Sequence, residues 1–344
     1  MEGKKFKCGL VIGKFHPLHK GHKALFEFAR NKVHYLKIIV LGHKEEKIPL
    51  TQRVNWVNET IKTLDSPLGI TVKGIGYESS ELNSSSESDV KSSQEWCDFL
   101  ADEMSDIDVI IGSEPYIKYM AEYSNKNYCI FDQSRKNVSI SASEIQKDPI
   151  KYWDYLVPAV KRSFAKHICI CGTECSGKTT LATKLEKQFE YVTMIPEIGR
   201  CLVGNANTCE ISTLLTVFRI HRHLLASVIQ DPPTPIIVWD TDNITTLSYI
   251  NYFFNYTYYN NISVPIANEY WFLENNIPYE KDISRLEKEE SEKLKEHHIQ
   301  MYKKYLGNGK LNFLSNSTFL YDDLEFKIML MKNQIINDLK KINI

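Results

Sequence analysis

The sequence predicts an α/β protein made of two parallel sheets in series, each with helices packed on both faces. Three observations predict it. Apolar runs of strand length alternate with segments of helical periodicity along most of the chain, the pattern of a parallel sheet with crossover helices. A glycine-bearing junction from strand through loop to helix occurs twice, at Gly13 to His22 and midway along at Gly172 to Thr179. The 344 residues are enough for two domains of roughly 100 to 200 residues each.

Composition narrows the function classes. Lys plus Arg number 42 and Asp plus Glu 43, so no global charge invites a polyanion such as bulk nucleic acid, and any phosphate site must be local. The stretch MEGKKFKCGLVIGKF is too briefly apolar for a signal peptide or a spanning helix, and a cytoplasmic location is expected. Eight cysteines in a long chain without a secretory signal are expected to be reduced thiols. Cys169, Cys171 and Cys175 read as small apolar residues of a strand and its loop. His221, His223, His297 and His298 lie in polar, helix-like stretches without ligands at zinc-site spacing, so they are expected on solvated helix faces.

The first domain opens with a buried strand, Cys8 to Gly13, that runs into Lys14-Phe15-His16-Pro17-Leu18-His19-Lys20-Gly21-His22 and then a helix with Ala24, Leu25, Phe28 and Ala29 on one face. His19 and His22, three apart at a helix entrance, put two imidazoles and a helix N-terminus around one anion. No acidic or thiol ligand lies nearby, which favours phosphate over a metal. A strand at Ile38 to Leu41, a helix marked by Val54, Val57, Ile61 and Leu64, and a strand at Ile70 to Val72 follow. Glu78 to Ser93 is Ser-rich and acidic and is expected to be a mobile surface loop. Val109 to Ile111 (strand), Tyr116 to Tyr123 (helix) and Tyr128 to Phe131 (strand) resume the alternation. Pro149 to Phe164 is expected to be a connecting helical segment interrupted near Pro158.

The second domain opens on the strand His167 to Cys171 and Gly172-Thr-Glu-Cys-Ser-Gly177-Lys178-Thr179, which matches the phosphate-loop pattern G-x-x-x-x-G-K-[ST] in its required strand-loop-helix context. Gly172 and Gly177 let successive backbone N–H groups and the helix N-terminus converge on phosphate oxygens. Lys178 is placed to reach the outer phosphates and Thr179 to put a hydroxyl on Mg²⁺. Glu174, Ser176 and Thr180 complete the expected ATP-contacting set. A strand at Tyr191 to Ile195, Glu197-Ile198-Gly199-Arg200, and a helical stretch to about Gln230 follow. Ile236 to Asp240 is a strand ending in a carboxylate. Asp240 is expected beside Thr179 on the metal, and Asp240 or Asp242 is expected to accept a proton from an attacking hydroxyl. Tyr249 to Asn261 is aromatic and suits either stacking on a planar substrate or core packing. After a strand at Glu269 to Asn275, Ile277 to Leu306 is heavily charged. Arg285 stands in it where a lid could close an arginine on the transferring phosphate, and Glu287 to Lys304 reads as a solvated helix. A strand at Leu311 to Leu314 and a C-terminal helix complete the domain.

Gly13 to His22 resembles the G-x-F-x-P-x-H-x-G-H signature of the nucleotidylyltransferase superfamily. The resemblance implies a Rossmann-like doubly wound sheet, ATP contacts from Gly13, Lys14, Phe15 and His16, and a triphosphate held by His19 and His22, which stabilise the transition state. Ile140 to Gln146 resembles that family's I-S-x-[ST]-x-I-R, which implies ATP contacts from Ser141 and Ser143. Gln146 stands where the family carries arginine and brings no charge, and Lys147 follows it.

The order of the two motifs, with Ser113-Glu114, Tyr152-Trp153-Asp154-Tyr155, Glu197-x-Gly199-Arg200, Asp240-Thr-Asp-x-x-Thr-Thr246 and Leu273 to Pro278 running on to Arg285, resembles the NadR-type family along nearly the whole chain. These are bifunctional nicotinamide mononucleotide (NMN) adenylyltransferases and ribosylnicotinamide kinases. The resemblance implies a nucleotidylyltransferase domain over 1–148, a connector over 149–165 and a P-loop kinase domain over 166–344. It further implies ATP as co-substrate with Mg²⁺, and substrate contacts from Trp96, Glu197, Arg200 and Asp240. Repressor members of that family carry an N-terminal helix-turn-helix, and this sequence starts at the adenylyltransferase strand, so DNA binding is not expected. A homo-oligomer is compatible with the sequence. Two alternatives are a phosphopantetheine adenylyltransferase joined to a dephospho-coenzyme A kinase, against which Glu-x-Gly-Arg and Asp-Thr-Asp speak, and a kinase whose first domain has become a nucleotide sensor.

Overall fold

The structure, a computed structural model, describes residues 6–78, 82, 90–134, 136–203, 209–257, 263–274, 288–307, 310–314 and 320–339. The chain divides into two compact units, Met1–Ser163 with Ile336–Ile344, and Phe164–Ile335.

The first unit contains β1 (Phe6–Gly13), α1 (Lys20–Lys32), β2 (Val33–His43), α2 (Leu50–Ile61), β3 (Ile70–Tyr77), α3 (Val90–Phe99), α4 (Ala101–Met104), β4 (Val109–Gly112), α5 (Tyr116–Tyr123), β5 (Asn127–Ile130), α6 (Ala142–Lys147), a 3₁₀ turn at Trp153–Tyr155 and α7 (Pro158–Phe164). Its five strands form one sheet in the order β3-β2-β1-β4-β5, parallel throughout. Leu10 and Val11 of β1, Ile38 to Val40 of β2 and Val109 to Ile111 of β4 are all fully buried. Such unbroken apolar runs are what a parallel strand covered on both faces demands. The chain reverses its direction of winding between β1 and β4, and the crevice at that switch point is where open α/β sheets take their ligands. The loop from Lys14 to His19 leaves β1 at this place.

The second unit contains β6 (Lys166–Gly172), α8 (Lys178–Gln188), β7 (Val192–Ile195), α9 (Gly199–Leu202), α10 (Ile211–Gln230), β8 (Ile236–Asp240), α11 (Asn243–Phe254), β9 (Glu269–Leu273), α12 (Lys288–Leu306), β10 (Leu311–Leu314) and α13 (Leu320–Leu339) as far as Ile335. The strand order is β10-β9-β6-β8-β7, again parallel. Central β6, entirely apolar from Ile168 to Cys171 and fully buried there, lies between β8 and β9. Register sets Ile170 against Asp240 and Gly172 against Leu273, so the phosphate-loop motif emerges between the ends of both neighbours.

Three expectations change. Of the Ser-rich stretch, 79–81 and 83–89 lie outside the described residues, but Val90 to Ser93 already belongs to α3, with Ser92 and Ser93 buried. Cys97 and Leu100, also buried, anchor that helix at helical spacing and override the serines' turn preference. Pro158 begins α7 instead of interrupting a helix, because a proline at the first helical position gives up an N–H that has no partner there. His221 and His298 are each 1% exposed and face the core of the second unit, not solvent, whereas His223 is exposed. On α12 the buried positions are Leu294, His298, Tyr302 and Leu306, a stripe at four-residue spacing within an otherwise charged helix. No disulfide joins the described cysteines, and no described helix is long and apolar enough to cross a membrane.

Candidate functional site

Each unit carries one candidate site at the C-terminal edge of its sheet. In the first, His19 is the N-cap of α1 and its Nδ1 accepts the Gly21 N–H at 3.1 Å, while Nδ1 of His22 accepts the His19 N–H at 3.3 Å. A neutral imidazole whose Nδ1 accepts a hydrogen bond carries its proton on Nε2. The two rings lie 3.8 Å apart at 34°, so the cap fixes a pair of Nε2–H donors side by side at a helix N-terminus, an anion-binding arrangement. Phe15 meets the His22 ring edge-on at 5.0 Å. Its φ of 47° is a conformation that a bulky residue adopts only where the surroundings impose it.

The loop is held from behind by residues that the motif alone does not reveal. Arg53 of α2, fully buried, donates from Nη1 to the carbonyls of Lys14 at 2.8 Å and Leu41 at 2.9 Å, and from Nη2 to the buried Glu46. Glu46 also sits 3.7 Å from Lys14 Nζ. Burial pulls the Lys14 ammonium below its usual range, with Glu46 opposing. Tyr77, at the end of β3, lies under Lys14, 5.5 Å from ring centroid to Nζ, and burial, then the Glu46 charge, push its hydroxyl up to about 12. Trp96 stands edge-on to Tyr77 at 5.0 Å, placing it with the strand ends.

Gln146, the departure from the family pattern, donates from Nε2 to the His16 carbonyl at 2.6 Å. It therefore ties α6 to the histidine loop where an arginine would point a charge at a ligand. Ser141 caps α6 in a reciprocal box with Glu144: its hydroxyl accepts the Glu144 N–H at 3.1 Å and donates to Glu144 Oε2 at 2.7 Å. Ser143, one turn position on, is exposed. Gly13 ends β1.

In the second unit Gly172 has φ +141°, and a Cβ there would lie 2.6 Å from the Leu273 carbonyl oxygen, so only glycine fits where β6 turns into the loop. Gly177, the N-cap of α8, has φ 87°, and Cys175 has φ 57°. Lys178 Nζ donates to the Thr173 carbonyl at 2.6 Å and Ser176 Oγ to the same oxygen at 2.8 Å. Thr179 Oγ1 donates to Asp240 Oδ2 at 2.6 Å. The other Asp240 oxygen is buried without a hydrogen-bond partner among the described residues. One hydroxyl, one carboxylate and an unused carboxylate oxygen at the mouth of a phosphate loop are the hard oxygen donors that Mg²⁺ takes, so the residues present fit that ion. Glu174 accepts from the Tyr249 hydroxyl at 3.2 Å. Thr180 is exposed in the first turn of α8.

Asp242 is fully buried, and its Oδ1 accepts from the Ile244 N–H at 2.9 Å, the Thr245 N–H at 3.2 Å and the Tyr302 hydroxyl at 2.7 Å. This is the work of an N-cap for α11. Burial, outweighing these three donors, pushes its carboxyl from 3.8 up to about 6. The folded unit thus holds this proton more tightly than the unfolded chain does, so Asp242 costs the unit stability as pH rises through that window. Asp242→Asn keeps an oxygen acceptor for the cap and cannot ionise. Its stability relative to the wild type is expected to improve by on the order of 2 kcal/mol between pH 4 and 6.5. Urea unfolding at both pH values measures this, and a pH-independent gap would contradict it.

Thr241, between the two aspartates, has φ 68°. A β-branched residue in the left-handed region is an outlier of the kind that gathers at functional turns. At the end of β7, Glu197 and Arg200 form an ion pair at 3.5 Å with side chains 29% and 56% exposed. Arg285 lies outside the described residues, as does most of the stretch that leads to it. The supports that sequence reading missed are Arg53, Glu46, Tyr77 and Tyr302. For the last the signal was the four-residue spacing of α12, masked because tyrosine counts as polar.

A family model described as an AAA domain matches residues 167–309. Over 215 residues the chain is 29% identical to the "Trifunctional NAD biosynthesis/regulator protein NadR" of Escherichia coli (strain K12), covering 57% of this chain and 50% of that protein. The protein of the same name from Salmonella typhimurium (strain LT2) is 26% identical over 215 residues, covering 56% and 48%. The chain spans about half the length of these two relatives. A crystal structure of NadR protein in complex with NR covers 96% of both chains at a TM-score of 0.54 and 17% identity. Another, in complex with NAD and AMP-PNP, covers 96% of this chain and 98% of the other at a TM-score of 0.55 and 17% identity. The two parallel-sheet domains expected from the sequence are thus the fold of those structures.

Proposed function

We propose that this homologue of NadR is a bifunctional NAD salvage enzyme: the second unit phosphorylates ribosylnicotinamide with ATP, and the first joins the resulting NMN to the adenylyl group of a second ATP, giving NAD and pyrophosphate. The observation that carries the reading is that one chain holds two different arrangements suited to phosphate, the paired imidazoles at the N-terminus of α1 and the glycine loop before α8, each at the C-terminal edge of its own parallel sheet. The relatives' names, and the NR, NAD and AMP-PNP bound in the NadR crystal structures, supply the substrates.

In the second unit the phosphate loop and the N-terminus of α8 receive the triphosphate, and Lys178 moves from the Thr173 carbonyl to the outer phosphates. Thr179 and Asp240 would hold Mg²⁺, which supplies charge neutralisation on the phosphates. Asp240 and Asp242 are at most 1% exposed, with Asp240 Oδ2 taken by Thr179 and Asp242 Oδ1 by the cap of α11, so on this reading neither is the carboxylate that meets the substrate hydroxyl. Glu197, the more accessible carboxylate at this edge, takes the proton of the attacking ribose hydroxyl, with Arg200 holding its side chain. Glu197→Gln is expected to lower the phosphorylation kcat by about 10²-fold or more, and an unchanged kcat would return the role to the aspartates.

In the first unit the nucleophile, the NMN phosphate, is already an anion and needs no base. The chemistry required is stabilisation of charge on the oxygens around the α-phosphorus while pyrophosphate leaves, and the Nε2–H groups of His19 and His22 are placed to give it. Trp96, with Tyr77, offers aromatic surface for the pyridine ring. The experiment is product analysis after incubating the full chain with Mg²⁺-ATP and either ribosylnicotinamide or NMN. NAD from both supports the reading; NMN alone from ribosylnicotinamide leaves a kinase with a sensor domain, and no turnover of either overturns it.

A further inference from the structure

His298 presents a buried polar atom that nothing above uses. It sits on α12 at 1% exposure, with Nδ1 2.7 Å from the hydroxyl of the fully buried Ser248. Its Nε2 is buried without a hydrogen-bond partner among the described residues. Leaving such an atom unpaired costs free energy, and in a native fold it calls for an explanation. Its neighbours on the same stripe, Leu294, Tyr302 and Leu306, are apolar or aromatic, so a phenylalanine or leucine could fill this position without the penalty.

Its surroundings lead to the phosphate loop by two independent routes. Tyr249, whose ring meets His298 edge-on at 5.0 Å and 70°, donates its hydroxyl to Glu174 of the loop at 3.2 Å. Lys178 is close enough that its charge, after burial and ahead of His297, helps to hold the imidazole neutral, down to about 3. When Ser248 donates to Nδ1, the proton sits on Nε2. The side chain then offers a neutral donor, which adds a hydrogen bond beside Lys178 without adding a second positive charge.

We infer that His298 Nε2 is a further contact of the kinase site, donating a hydrogen bond to an oxygen of the transferring phosphoryl group next to Lys178. This rests on the proposal that the second unit is an ATP-dependent kinase. The test uses the full chain labelled with ¹⁵N-histidine. One neutral imidazole, lost from the spectrum of His298→Gln, is expected to shift at Nε2 when Mg²⁺-AMP-PNP is added. In kinetics His298→Gln is expected to lower the phosphorylation kcat about 10²-fold, with KM for ribosylnicotinamide changed less than threefold. Ser248→Ala, which keeps the imidazole but frees its tautomer, is expected to fall between that variant and wild type. An Nε2 resonance unmoved by the nucleotide, with kcat retained in His298→Gln, would show a purely structural histidine. If the wild type fails to phosphorylate ribosylnicotinamide while the resonance still moves, the substrate assignment falls and the phosphate contact stands. If His298→Gln does not fold, the imidazole whose shifts change in Ser248→Ala identifies the resonance, and its response to Mg²⁺-AMP-PNP in the wild type decides.

Discussion

Lys178→Met is expected to lower phosphorylation of ribosylnicotinamide by about 10²- to 10³-fold, the loss seen when one preorganised charge-stabilising donor is removed from a transition state. The side chain is 9% exposed and its ammonium is held by the Thr173 carbonyl at 2.6 Å. Methionine fills a similar volume and removes a buried cation, so the fold is expected to survive. The variant should still convert NMN into NAD at the wild-type rate, because the histidine pair belongs to the other unit. Steady-state assays on the two substrates, run separately, measure both. Equal loss on both would show that the two sites are not independent.

His19→Ala is expected to do the reverse, lowering adenylyl transfer to NMN by about 10²- to 10³-fold while leaving the kinase step unchanged. The substitution also removes the cap of α1, which accepts the Gly21 N–H at 3.1 Å, and so is expected to cost about 0.5 to 2 kcal/mol of stability. His19→Asn separates the two effects. Asparagine caps a helix as well as any residue but lacks the Nε2–H beside His22, so it should recover the stability and not the rate. Calorimetry and initial rates on both variants check this; recovery of rate by asparagine would reduce His19 to a cap.

The parts of this architecture that were legible in the sequence are those set by local rules. β8 (Ile236–Asp240), α5 (Tyr116–Tyr123) and β10 (Leu311–Leu314) fall where apolar runs and helical spacing put them, since strand length and turn chemistry mark their ends. The two candidate phosphate loops were legible as patterns, because glycine, lysine and paired histidines are the residue types that an anion approached by the backbone would demand. Arg53 was not, because a buried arginine bridging the Lys14 and Leu41 carbonyls is specified by three segments that meet only in the fold. His298 and Tyr302 were hidden for a related reason: their burial depends on α11 packing over α12, with Ser248 and Asp242 supplying partners. The capping duty of Asp242 was readable in principle, since an aspartate two residues past a strand and just before Asn-Ile-Thr-Thr is an N-cap pattern. The same residue type suits a proton acceptor beside Asp240, so the residue types alone do not separate the cap from a catalytic carboxylate.

The most direct test of the central claim, that one chain carries both a ribosylnicotinamide kinase and an NMN adenylyltransferase, follows carbon-13-labelled ribosylnicotinamide through purified full-length protein with Mg²⁺-ATP by mass spectrometry. The account predicts labelled NMN first and labelled NAD after it, with ADP and pyrophosphate formed in step. Labelled NMN that never becomes NAD, or label that never leaves ribosylnicotinamide, would contradict it.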